Sequence, residues 1–418
     1  MTETTTLTSR SSRLWEVEGL RAVAAWSIVV FHVWIFSSPA VLDWNLGPLT
    51  AFVSPLQSAV TLFFVLSGFL LYRPIAEALL DATAAPSAWK YLRNRALRIL
   101  PAYWVILLLV VFALRSASLG ASGQGVLAGP LTDPKTFVLN VFLIQTYVPD
   151  GIWSGILPTW SLTIEVAFYL SLPLLALSAT RFARGRAQSR RRIAAAVGPV
   201  VFMFLLGLLG KTLVAVFTEG PQRATTSDWH GVLDRSILTH ADLFGFGMGA
   251  AFILLLWERG LGERLKFFLW TGLARPLAYV GLPTIFLGYY LLPAYVYDAA
   301  VALLVSLLLV RLLGAGEGLE RSTSRLRLFL TARWTVAAGR RSYSVFLWNY
   351  PLLVFLSTRH VLASGNGAGA FLLNLAIAVP TIAVLSALTY RFVEAPALGL
   401  KQRRRACAAA LPATNPAT

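Results

Sequence analysis

Runs of close to 20 apolar residues, separated by short arginine-rich segments, constrain this chain more than any other feature of it. A helical run of that length matches the roughly 30 Å hydrocarbon core of a bilayer. Within lipid, a helix satisfies its backbone groups inside one segment, which an open strand cannot do. Such runs fall at about 16–36, 52–72, 99–114, 158–178, 194–216, 236–257, 276–293, 299–314, 342–358 and 369–391. Only 13% of the 418 residues are charged and 57% are hydrophobic, against about a quarter charged in soluble domains. The expected fold class is all-α: a polytopic integral membrane helix bundle of about ten transmembrane helices.

Charge sets the expected orientation. Arg10 and Arg13 precede the first run. Arg73, Lys90, Arg93, Arg95 and Arg98 follow the second, and Arg181, Arg184, Arg186, Arg190, Arg191 and Arg192 follow the fourth. Basic residues in short loops stay on the cytoplasmic side. If the short piece 136–147 does not cross, the segments 73–98, 181–193, 258–275, 311–341 and 392–418 all lie on that side. The opposite loops near 37–51, 148–157 and 294–298 then carry Asp43, Asp150 and Asp298 and no basic residue. Both termini are therefore expected in the cytoplasm, and 136–147 as an outer half-helix or re-entrant piece. The organisation predicted is a polar N-terminus over 1–14, a membrane domain over 15–400 and a basic tail over 401–418. No small-residue cleavage site follows the first run, so it is read as an uncleaved span of the plasma membrane. The Arg73-Pro74 pair is expected to end the second helix.

The net charge of +17 would suit nucleic acid, but the basic residues alternate with apolar runs and form no single patch. They are topology determinants, and the partner they imply is the bilayer. One cysteine, Cys407, provides no disulfide framework, and four scattered histidines provide no metal-ligand spacing. No metal and no permanently bound cofactor are expected.

The first run carries an unusual polar stripe of Glu18, Arg21 and His32. Eleven residues at about 100° each place Arg21 and His32 on one helix face, about 16 Å apart along the axis. Ionisable groups within a span are costly and are by default a functional hypothesis. Ser67-Gly68 in the second run reads as a point of close helix packing.

Five stretches together resemble the acyltransferase 3 family of membrane O-acyltransferases. They are Glu18-Gly19-Leu20-Arg21 with His32; Phe63-Phe64-Val65-Leu66-Ser67-Gly68-Phe69; Arg95-Ala96-Leu97-Arg98; Trp160-Ser161-Leu162-Thr163-Ile164-Glu165 with Phe168-Tyr169; and Ser342-Tyr343-Ser344-Val345-Phe346-Leu347-Trp348-Asn349-Tyr350-Pro351. The resemblance covers about 15–400. It implies transfer of an acyl group, often acetyl, from acyl-CoA as co-substrate to a hydroxyl of a carbohydrate or glycosylated small molecule. The fifth stretch carries Asn349 where the family often has histidine. Asparagine can hydrogen-bond but cannot act as a base near neutral pH, which leaves His32 as the only motif histidine.

With that resemblance, His32 becomes the candidate general base on the acceptor hydroxyl or, as the second alternative, the carrier of the acyl group itself, and Glu165 a carboxylate that orients it or meets the acceptor. Arg21, Arg95 and Arg98 are candidates for holding acyl-CoA, since guanidinium forks suit phosphates. Arg73 and Arg93 are weaker candidates for the same rim. Glu18, Tyr343 and Asn349, with Asp242, are expected to line the cavity and contact substrate. A different class, a transporter or flippase for a glycolipid or polar metabolite, also suits intramembrane charge, but it predicts internal repeats that the chain does not display.

Overall fold

The computed structural model describes residues 3–37, 49–122, 125–184, 189–217, 227–262, 274–314, 320–365 and 368–400. The tail 401–418 with Cys407, and the loop with Asp43, lie outside the described residues. The chain is a polytopic helical membrane protein. Its main helices are α1 Glu3–Phe36, α2 Ala59–Asp81, α3 Ala88–Leu108, α4 Pro134–Val141, α5 Trp160–Ala183, α6 Ser189–Phe217 and α7 Trp229–Asp234. They continue with α8 Ile237–Glu258, α9 Ala274–Phe286, α10 Ala294–Leu313, α11 Glu320–Thr331, α12 Arg333–Arg340, α13 Ser342–Thr358 and α14 Ala368–Thr389.

Eight helical stretches among the described residues are long and apolar enough to cross a membrane. Two of the ten expected runs fall short of that length. The run at 276–293 is divided between α9, of 13 residues, and a single turn Gly288–Leu291. The run at 342–358 is α13, of 17 residues, buried along most of its length. The piece at 136–147 contains α4, of only 8 residues. Asp133 caps α4 by accepting from the backbone N–H groups of Lys135 and Thr136, and Pro134 opens it. The Thr136 hydroxyl and N–H bonds hold the Asp133 carboxyl below the usual carboxylate range.

Small residues decide how the helices meet. A Cβ at Gly68 would overlap the carbonyl oxygen of Phe244, and one at Gly247 would overlap that of Val65. Helices α2 and α8 therefore touch backbone to backbone, as small residues permit in membranes. Phe64, Phe168 and Phe244 fill the space beside this contact, with Phe168 stacked on Phe244 at 4.1 Å between centroids. Arg73 pairs with Glu258 and Arg259 with Asp81, each at 2.7 Å, and these pairs tie the same two helices at their C-terminal ends.

One local expectation is corrected, and a small sheet is found beside the helices. Helix α2 does not end at Arg73-Pro74; it runs on to Asp81 and ends with Ala82 in the left-handed region at φ 55°. A proline removes one intrahelical hydrogen bond, and burial of Ile75, Ala76, Ala78 and Leu79 beyond it offsets that loss. The Gly/Ser-rich stretch 115–135 contributes two strands. It forms a small antiparallel sheet of Ala117–Ser122, Gly125–Gly129 and Ser154–Gly155, in the order second, first, third strand. Its two longer strands follow a π-helical end of α3, Leu109–Leu114, closed by Arg115 at φ 52°.

Candidate active site

Helix α1 carries the site along one face, and α13 lies beside it. His32 Nδ1 is 2.5 Å from Asn349 Oδ1. Asn349 is fully buried. Its amide nitrogen donates within α13 to the carbonyls of Phe346 at 2.5 Å and Val345 at 3.3 Å. That settles which way the amide faces, because the flipped amide would set oxygen against two carbonyl oxygens. The group facing the imidazole is therefore an acceptor, so Nδ1 carries the proton. In the neutral ring Nε2 is then the lone-pair nitrogen. Tyr350 packs edge-on against the imidazole at 5.2 Å between centroids and against Phe36 at 5.3 Å. His32 itself is only half-buried.

Three turns toward the N-terminus of α1, Arg21 Nη1 lies 3.4 Å from both carboxylate oxygens of Glu18. Arg21 also interacts electrostatically with Arg98, Glu165 and Tyr169. Arg95 from the same helix as Arg98 places its guanidinium 6.0 Å from the centroid of the Tyr169 ring. The buried Arg95 Nε has no acceptor in the protein among the described residues. Three arginines from α1 and α3 thus converge on α5, and Glu18, Arg21, Arg95, Arg98 and Glu165 all retain partial exposure within the bundle.

The hydrogen-bond partner found for Glu165 among the described residues is Ser67 rather than His32. The Glu165 carboxylate accepts a hydrogen bond from the Ser67 hydroxyl of α2 and interacts with Tyr169. The partner that orients the imidazole is Asn349, which was expected to contact substrate. Tyr343 is likewise committed: its hydroxyl donates to the Ile99 carbonyl at 2.9 Å and ties α13 to α3. Arg73 is engaged with Glu258 rather than turned to the arginine cluster.

Two residues of this region were given no part in the site by sequence reasoning. Ser67 was read, with Gly68, as a packing point and not as a partner of Glu165. Glu394, in the π-helical segment Tyr390–Glu394 after α14, is buried, accepts from the Ser344 hydroxyl and interacts with Arg98 and Arg21. A carboxylate at the end of the last apolar run was the available signal. Asp242 lies elsewhere, in a buried ion pair with Lys211 between α6 and α8. Lys211 inside an apolar run was an equally legible signal.

A family model described as an acyltransferase domain matches residues 14–391. The chain is 32% identical over 171 residues to acyltransferase MdmB of Streptomyces mycarofaciens, covering 40% of each protein. It is 29% identical over 171 residues to nodulation protein 10 of Rhizobium leguminosarum bv. viciae, covering 37% of this chain and 42% of the relative. The chain thus matches less than half the length of either. No solved structure matches it significantly.

Proposed function

The chain belongs to the acyltransferase 3 family, and we propose that it moves an acyl group, acetyl or another short acyl, from acyl-CoA to a hydroxyl of a carbohydrate or glycosylated acceptor. The observation that carries this reading is the His32–Asn349 pair, which leaves a lone-pair nitrogen on a half-buried imidazole inside the bundle.

In the proposed step the acceptor oxygen attacks the thioester carbonyl while its proton passes to His32 Nε2. A C–O bond forms and the C–S bond breaks. The proton then passes from His32 to the departing thiolate, releasing coenzyme A and the ester. A positioned base of this kind contributes about 10²–10⁴-fold. Arg21, Arg95 and Arg98 hold the phosphates of acyl-CoA. The axial separation of about 16 Å between Arg21 and His32 is one that an extended pantetheine arm can bridge. Glu165, held by Ser67, acts on the acceptor or on the arginine cluster rather than on His32.

Arginine-rich ends of the spans face the cytoplasm under this reading, so acyl-CoA enters there and the protein resides in the plasma membrane. The test compares glycan and metabolite masses in a deletion strain complemented with wild type or His32→Ala. Wild type restores an acyl mass that His32→Ala does not. Equal restoration by both would remove His32 from the chemistry. Acyl-CoA-dependent product formation by the purified protein in detergent separates transfer from transport, since transport needs a sealed compartment.

A further inference from the structure

Helices α11 and α12 are fastened to α1 at the first turn of its span. A Cβ at Gly19 would overlap the Leu330 carbonyl oxygen, and one at Gly339 would overlap that of Glu18. Arg327 Nε lies 2.5 Å from the buried Glu16 carboxylate. Leu330 and Val336 are buried on this inner side, and the Thr335 hydroxyl donates to the Phe329 carbonyl at 2.7 Å across the bend between the two helices. The contact sits at Glu16–Gly19, just inside the start of the membrane span Trp15–Phe36. A span that begins at Trp15 would set that contact at the boundary between hydrocarbon and headgroups.

The outer side of the same pair mixes two chemistries. Leu328 is 69% exposed and Trp334 64%, with Leu326 and Phe329 also exposed. Phe329 and Trp334 pack edge to face at 5.2 Å. Arg325, Arg333, Arg340 and Arg341 are exposed beside them, with no ion pair among the described residues. Residues 325–341 contain five arginines and no acidic residue. Large apolar side chains with arginine on one short amphipathic helix pair suit the interfacial layer of a membrane. Hydrocarbon would strand the guanidinium groups, and water would strand Trp334 and Leu328. Anionic headgroups in that layer would supply the counter-charge.

We propose that the exposed face of α11 and α12 is a binding surface for anionic phospholipid headgroups. The inference needs nothing of the acyl-transfer reading. The test is native mass spectrometry of the full chain released from nanodiscs of equal phosphatidylglycerol and phosphatidylcholine. Wild type retains phosphatidylglycerol in preference. The triple variant Arg325→Gln, Arg333→Gln, Arg340→Gln loses that preference by at least about 5-fold, the worth of one interfacial arginine. A matched triple at Arg181, Arg184 and Arg190 keeps it. On the unsubstituted protein, photoactivatable phosphatidylglycerol labels 325–341, with five arginines, ahead of the more basic 181–193, with six. Equal retention of both lipids by wild type, or labelling that favours 181–193, would overturn the proposal. So would displacement of the label by soluble RNA at concentrations that leave other lipid contacts intact.

Discussion

His32 and Asn349 are joined at 2.5 Å, and Asn349 is held with its oxygen toward the ring by two carbonyls of its own helix. The asparagine thus does for this imidazole what an aspartate does in a hydrolase triad: it holds the tautomer and the orientation. Asparagine does so without adding a buried charge.

Asn349→Leu should therefore lower kcat by at least about 10-fold, within the ~10²–10⁴-fold that the base itself contributes, while KM for acyl-CoA changes little. Asn349→Asp keeps the acceptor and should retain more activity than the leucine variant. Steady-state kinetics of the purified protein decides this. Equal losses in both variants would mean that Asn349 serves packing alone.

Arg98→Ala and Arg95→Ala should act on the donor instead. In the proposed donor role each would remove charge-assisted bonds of about 1.5–3 kcal/mol, equivalent to about a 10- to 150-fold rise in KM or Kd for acyl-CoA. Direct titration with a non-hydrolysable acyl-CoA analogue measures it. Arg73→Ala, whose partner is Glu258, should leave that Kd within about 2-fold while loosening α2 from α8.

Gly247→Ala tests the helix contact beneath the site. Its new Cβ meets the Val65 carbonyl, which belongs to backbone and cannot swing aside. A loss of about 1–3 kcal/mol is expected, read as a lower midpoint for thermal unfolding in detergent. Gly369→Ala, where a Cβ meets nothing within 4 Å, is the control and should leave the midpoint unchanged.

The Lys211–Asp242 pair supports the bundle away from the site. Side-chain exposure is 14% for Lys211 and 10% for Asp242, so removing one partner leaves a buried charge. Lys211→Met should cost about 3–5 kcal/mol, and Lys211→Met with Asp242→Leu should recover most of it. Unfolding of the single and double variants in detergent checks the sign of the coupling.

Much of this was legible in the residue order. Helix class and membrane residence follow from apolar run length, because lipid offers no other partner for backbone groups. The shared face of Arg21 and His32 follows from local helical periodicity. Ser67-Gly68 as a close-packing point was readable from small-residue logic, and the overlap at Phe244 bears it out. The small sheet and the passage of α2 through Pro74 were not readable, since both depend on packing from distant segments.

The chain by itself therefore determined the helices, their apolar length and which polar groups share a face. Those properties arise within one helix, from rise and rotation per residue. Only the tertiary structure decided the partners. His32 meets Asn349 across 317 residues, and Glu165 meets Ser67 across 98. Which helix faces meet depends on contacts such as Gly68 with Phe244 and Gly247 with Val65, where absent side chains let backbones touch. A lone histidine in an apolar run thus becomes an imidazole with a defined tautomer only when α13 is laid against α1.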